Sequence, residues 1–95
     1  NGQYGTIRMH QERHYPDRVS GTALANPDFG ALAQAYGGGG ETVHRTADFP
    51  AAFARAQTSG RLAVIELRLD PEALSAGATL SQVRAQGRAA RAQPA

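Results

Sequence analysis

Apolar positions along the chain follow two patterns, helical spacing and short unbroken runs, separated by clusters of Gly, Pro and small polar residues. Helix-compatible residues run from Tyr4 to about His14, behind a start at Asn1-Gly2-Gln3-Tyr4-Gly5. Pro16 with Asp17-Arg18 ends that segment. Val19 to Ala25 predicts an irregular connection, with Ser20-Gly21-Thr22 as its turn. Asn26-Pro27-Asp28 then marks a helix start: Asn at the cap, Pro at the first helical position and an acid in the first turn. Phe29, Leu32, Ala33 and Tyr36 follow at the spacing of one buried helical face, and Gly37 stops the helix.

Gly37 to Gly40 predicts a flexible hinge, followed by a short strand from Glu41 to Arg45 around Val43. The next helix is expected from about Ala47 to Thr58, with Phe49, Phe53 and Ala56 on one side and Thr46 or Asp48 as its cap. Asp48 suits that role because it leaves Pro50 where no intrahelical N–H is needed. Arg61 to Leu69 contains Leu62-Ala63-Val64-Ile65, an apolar run of the kind found in strands covered on both faces, and Asp70-Pro71 ends it. Beyond Glu72 there is no acid, while Arg84, Arg88 and Arg91 recur at roughly helical spacing. Leu74, Leu80 and Val83 are placed to dock part of this segment, and the last ten residues are expected to form a loose, solvated tail.

Helix–strand–helix–strand order predicts an α/β fold. Two strands cannot make a doubly covered sheet, so the missing strands are expected from elsewhere. The length of 95 residues allows one compact domain, and 41% hydrophobic with 19% charged residues excludes a disordered polar chain. The cations are all Arg, and ten of them against eight acids leave a net charge of only +2. With no cysteine there is no disulfide framework, no thiolate metal site and no Cys nucleophile. No apolar run has the length of a membrane span and no signal peptide opens the chain, so a cytoplasmic location is expected. Because the sequence opens on Asn1 rather than Met, it is expected to be a piece of a longer polypeptide.

Candidate chemistry concentrates at the start. Asn1-Gly2-Gln3-Tyr4-Gly5-Thr6-Ile7-Arg8 lies at or just before a helix N-terminus, where backbone N–H groups favour an anion such as phosphate. An Asn side-chain oxygen and a nearby backbone carbonyl are hard ligands suited to Mg2+. An ordinary loop-to-helix junction has the same composition. His10 and His14 are four apart, but His-Gln-Glu-Arg-His is not the zinc-protease order and no third ligand is evident; they read as a solvated or substrate-facing helix side, with Glu12 and Arg13 as a polar face. The Gly37–Gly40 run follows a helix and precedes a strand, the reverse of the order in nucleotide loops, so it reads as helix termination. No serine has a Gly-x-Ser-x-Gly context.

Asn1-Gly2-Gln3-Tyr4-Gly5-Thr6-Ile7 resembles the closing end of the cofactor motif of thiamine-diphosphate-dependent enzymes. The likeness continues through Asn26-Pro27-Asp28-Phe29, Ala35-Tyr36-Gly37-Gly38, the helix from Phe49 to Gly60 and the strand Ala63-Val64-Ile65-Glu66-Leu67. It covers about residues 1–70 and is nearest to the acetolactate synthase and benzoylformate decarboxylase branch. The resemblance implies the C-terminal part of a doubly wound parallel-sheet domain that binds thiamine diphosphate, followed by a partly loose extension over residues 71–95. It implies that the Asn1 side chain and the Gln3 carbonyl bind Mg2+, that the N–H groups around Tyr4 and Gly5 face the diphosphate, and that Thr6 and Ile7 border the reactive thiazolium side. The family's Gly-Asp-Gly and the first Asn of its pair are absent from these residues. Its catalytic Glu belongs to a different domain, so no acid here is assigned a catalytic role and the 95 residues alone are expected to be inactive.

The implied parent enzyme decarboxylates a 2-oxo acid and releases an aldehyde or joins the acyl unit to a second carbonyl compound, with FAD left open as a further cofactor. Its expected partners are the remainder of the parent chain and a second subunit in a homodimer or tetramer, with no nucleic acid and no membrane. The rival reading is a non-catalytic α/β binding or assembly module whose Arg-rich tail recruits an anionic partner.

Overall fold

The structure is a computed structural model that describes residues 1–93. The chain divides into two compact units, one formed by residues 1–25 with the described residues from Asp70 onward, the other by Asn26–Leu69.

The middle unit is built on two parallel strands, β1 (Gly39–Val43) and β2 (Ala63–Leu67), in register from Gly39 opposite Ala63 to Val43 opposite Leu67. Thr42 and Glu66 are paired across the ladder, and the Thr42 hydroxyl donates to the Glu66 carboxylate at 3.1 Å. Helix α2 (Phe29–Ala35) precedes β1, and α3 (Phe49–Thr58), entered through a 3-10 turn at Thr46–Asp48, links the strands as a βαβ unit. Gly40 approaches Gly30 of α2 so closely that a Cβ there would overlap the Gly30 carbonyl. The adjacent Glu41 reaches the other way and receives a bidentate pair of hydrogen bonds from Arg55 of α3, at 2.7 and 2.9 Å. Successive strand residues alternate faces, so the two helices serve opposite faces of the sheet. This is an α/β architecture with a parallel sheet.

Two details of α2 differ from the sequence expectation. Its cap is Asp28 rather than Asn26: the Asp28 carboxylate accepts from Ala31 N–H at 2.9 Å, and Pro27 stands outside the helix. A full negative charge at the N-terminus satisfies both the free N–H and the helix dipole. The expected buried face is also largely open, with Ala33 buried but Leu32 46% and Tyr36 86% exposed. The sheet is two strands wide and cannot cover them. At the other end the helix closes as expected on Gly37, at φ +82°, where Gly37 and Gly38 donate to the Gln34 and Ala33 carbonyls in a Schellman arrangement. Gly39 and Gly40 are strand residues rather than hinge, Gly39 lying against Ala63 of β2 and Gly40 against Gly30 of α2.

The other unit pairs the first helix with the last. Helix α1 (Gly5–His14) packs on α4 (Leu80–Ala92), and Leu80 and Val83 of α4 are buried. The expected loose tail is therefore a regular helix up to Ala92; Pro94 and Ala95 lie outside the described residues. Thr79 and Gln82 form a capping box at its start. Gly87 is buried because α4 presses its backbone on the end of α1, where a Cβ would come within 2.5 Å of the Glu12 carbonyl oxygen.

Glu12 is likewise not solvated, and the tail arginines are engaged by partners, although Arg88 and Arg91 stay exposed. The Glu12 side chain is 1% exposed and takes two hydrogen bonds from Arg84, both at 2.9 Å, and a third from Asp17 N–H at 3.2 Å. Arg88 pairs with both oxygens of Asp17, and the Arg91 guanidinium lies 5.7 Å from the centre of the Tyr15 ring. The arginines recur along one face of α4 because that face answers the C-terminal end of α1. The guanidinium of Arg84 holds the Glu12 carboxyl below its ordinary range against the opposing effect of burial, and Arg88 does the same for Asp17.

Candidate functional site at the start of the first helix

The residues singled out by the sequence, Asn1, Gln3, Tyr4, Gly5, Thr6 and Ile7, meet at the N-terminus of α1. Gln3 forms an isolated antiparallel bridge with Ala23. The bridge is made by Tyr4 N–H to the Thr22 carbonyl and Leu24 N–H to the Gly2 carbonyl, both at 2.9 Å. It therefore leaves the Gln3 carbonyl outside the pairing. Gly2, at φ +66°, supplies the left-handed turn that brings Asn1 back over the helix start.

Asn1 Oδ1 accepts from Gln3 N–H at 3.3 Å, and its Nδ2 lies 2.9 Å from where a Cβ on Gly5 would stand. The first residue of α1 is thus a glycine because the Asn1 side chain occupies the space beside it. The helix has no side-chain cap and no acid in its first turn. The N–H groups of Gly5, Thr6 and Ile7 find no acceptor among the described residues, and the first helical bond runs from Arg8 N–H to Tyr4 C=O. Three free donors at the positive end of a helix dipole suit a phosphate group. Tyr4 and Ile7 are about half exposed beside them, and Thr6 is exposed.

The side chain of Gln3 was not legible as a structural part. It is buried and spans two partners: Nε2 donates to the Pro71 carbonyl at 2.9 Å and Oε1 accepts from Arg8 Nη1 at 2.7 Å. Arg8 Nε is buried without a hydrogen-bond partner and lies 4.0 Å from a Glu12 oxygen. The spacing of four between Arg8 and Glu12 was the available signal; nothing local points from Gln3 to Pro71.

The donor chemistry fits a diphosphate with its metal in part. The Asn1 amide oxygen and the Gln3 carbonyl are hard oxygen ligands, and the N–H row is an anion seat. Two protein oxygens fall short of the six that Mg2+ takes, so phosphate oxygens, water and other residues have to complete the set. Elsewhere the His10 and His14 rings lie parallel on the exposed side of α1, 6.4 Å between centres. Among the described residues no group of three His, Asp or Glu is gathered to hold a metal, and no helix is long and apolar enough to cross a membrane.

Comparison with the curated proteins and with the solved structures gives no match. Residues 1–67 match the family model described as thiamine pyrophosphate enzyme, C-terminal TPP binding domain, a span that runs from Asn1 to the last residue of β2. With 67 of 95 residues matched, the chain belongs to the thiamine pyrophosphate enzymes, in their C-terminal cofactor-binding domain.

Proposed function

We propose that this chain supplies the closing half of the cofactor site of a Mg2+-dependent enzyme that decarboxylates a 2-oxo acid and, in the manner of acetolactate synthase, passes the acyl unit to a second carbonyl compound. The observation that carries the reading is the bare N-terminus of α1 with the Asn1 amide folded over it. In this reading Asn1 Oδ1 and the Gln3 carbonyl hold the metal, and the N–H groups from Tyr4 into the first turn of α1 face the diphosphate. Tyr4 keeps its own N–H on Thr22, so the free donors of Gly5, Thr6 and Ile7 carry most of that contact. Thr6 and Ile7, one polar and one apolar, border the side from which substrate approaches. When bound, the cofactor supplies the nucleophilic carbon and the electron sink for loss of carbon dioxide. The remaining metal ligands and the acid that activates the cofactor come from other segments, one of them from a second subunit.

The test is calorimetry of thiamine diphosphate on the full-length enzyme. Binding is expected only with Mg2+ present, and Asn1→Ala is expected to weaken it at least about tenfold, the scale on which metal-site changes act. Full-strength, metal-independent binding by Asn1→Ala overturns the assignment. Release of carbon dioxide from 2-oxo acids, assayed with and without a second carbonyl compound, separates simple decarboxylation from acyl transfer. The rival reading of a basic tail recruiting an anionic partner is less favoured, since Arg84 and Arg88 pair with the carboxylates of Glu12 and Asp17.

A further inference from the structure

We infer that the segment beyond the matched residues, from Pro71 through α4, is a positioning strap for the cofactor end of α1. This rests on the reading of Asn1 and Gln3 as metal ligands. A residue that offers a backbone carbonyl to a metal must have its backbone fixed, and Gln3 is fixed by its own side chain. That side chain is held between the Pro71 carbonyl and Arg8 Nη1. Arg8 leads along α1 to Glu12, 4.0 Å away, and the Glu12 carboxylate is clasped by Arg84 of α4. The chain of contacts therefore begins at Pro71, passes under the proposed metal ligand, follows the helix and returns to α4.

The packing of the two helices reinforces the same link. Gly87 lets α4 rest on the backbone of Glu12 and Arg13, which leaves no room for α1 to slide along its partner. The Gln3 side chain positions its own carbonyl, Arg8 holds that side chain directly, and Arg84 reaches it only through Glu12 and Arg8, so Arg8 and Arg84 are positioning residues. Partners that orient metal ligands typically change metal affinity tenfold to a hundredfold when removed.

The experiment uses the full-length enzyme at a temperature where circular dichroism shows each variant folded. Thiamine diphosphate is titrated by calorimetry over a series of Mg2+ concentrations. Arg84→Met cuts the strap far from the site, and Gln3→Leu cuts it at the site while keeping the backbone carbonyl. Each is expected to raise the Mg2+ concentration for half-maximal cofactor binding by about tenfold. An Arg84→Met protein that melts earlier but keeps the wild-type Mg2+ requirement overturns the strap. If Arg84→Met does not fold, Gln3→Leu decides alone, and an unchanged Mg2+ requirement there overturns it equally. Asn1→Ala is the separate control: an unchanged requirement in that variant removes the metal-site reading itself.

Discussion

Single residues at the start of α1 carry more than their exposure suggests. Gly5 is the clearest case, because a methyl group there meets only the end of the Asn1 side chain. Gly5→Ala is expected to leave the melting midpoint unchanged or slightly raised, since Ala restricts the unfolded chain more than Gly does. The same variant displaces Asn1, so cofactor binding measured by calorimetry should weaken about tenfold. Glu12, at the far end of α1, adds a stability role to its place in the strap. Its carboxyl is held below the usual glutamate range by Arg84, so the ion pair stabilises the fold above the ordinary glutamate pKa. That contribution fades as pH falls through the lowered folded value. Glu12→Gln should cost about 3 kcal/mol at neutral pH, as breaking a buried pair does, and should flatten the acid limb of a plot of stability against pH. Urea melts at several pH values check both. The loop-to-helix junction at Asn1–Gly5 was legible because its signals are local. The buried state of Glu12 was not, because its partner lies 72 residues away and an isolated acid beside arginines looks like surface.

At the scale of elements, both strands and the first three helices were readable from apolar spacing and from Gly and Pro positions. Their boundaries moved by at most two residues, as with Asp28 taking the cap expected of Asn26. Helix α4 was misjudged for a physical reason. It has few apolar residues, and its arginines read as solvated until their carboxylate partners are known; Gly87 reads as a helix weakener until α1 is seen against it. Gly87→Ala should therefore destabilise rather than improve the helix. The Cβ has to push against backbone carbonyls of Glu12 and Arg13, and overpacking of this kind costs about 2 kcal/mol. A chemical melt that shows increased stability for Gly87→Ala contradicts this packing. The same logic explains Gly30 and Gly40, where α2 and β1 meet backbone to backbone.

The whole molecule has little core for its size. Ala33, Val43 and Ala52 are the buried apolar residues of the middle unit, while Leu32, Tyr36 and Leu62 line an open hollow on it. The 95-residue chain on its own is expected to bind an apolar dye and to self-associate, since exposed apolar patches promote association. A monodisperse monomer with no dye binding, seen by sedimentation and fluorescence, contradicts that expectation. The pairing of α1 with α4 has a consequence for how the protein is made. Helix α1 leaves the ribosome with a carboxylate whose guanidinium is still dozens of codons from being translated. Closing so long a loop is slow compared with forming either helix. Until then Glu12 stays exposed to water, so α1 and α4 join after the βαβ segment between them has had time to form.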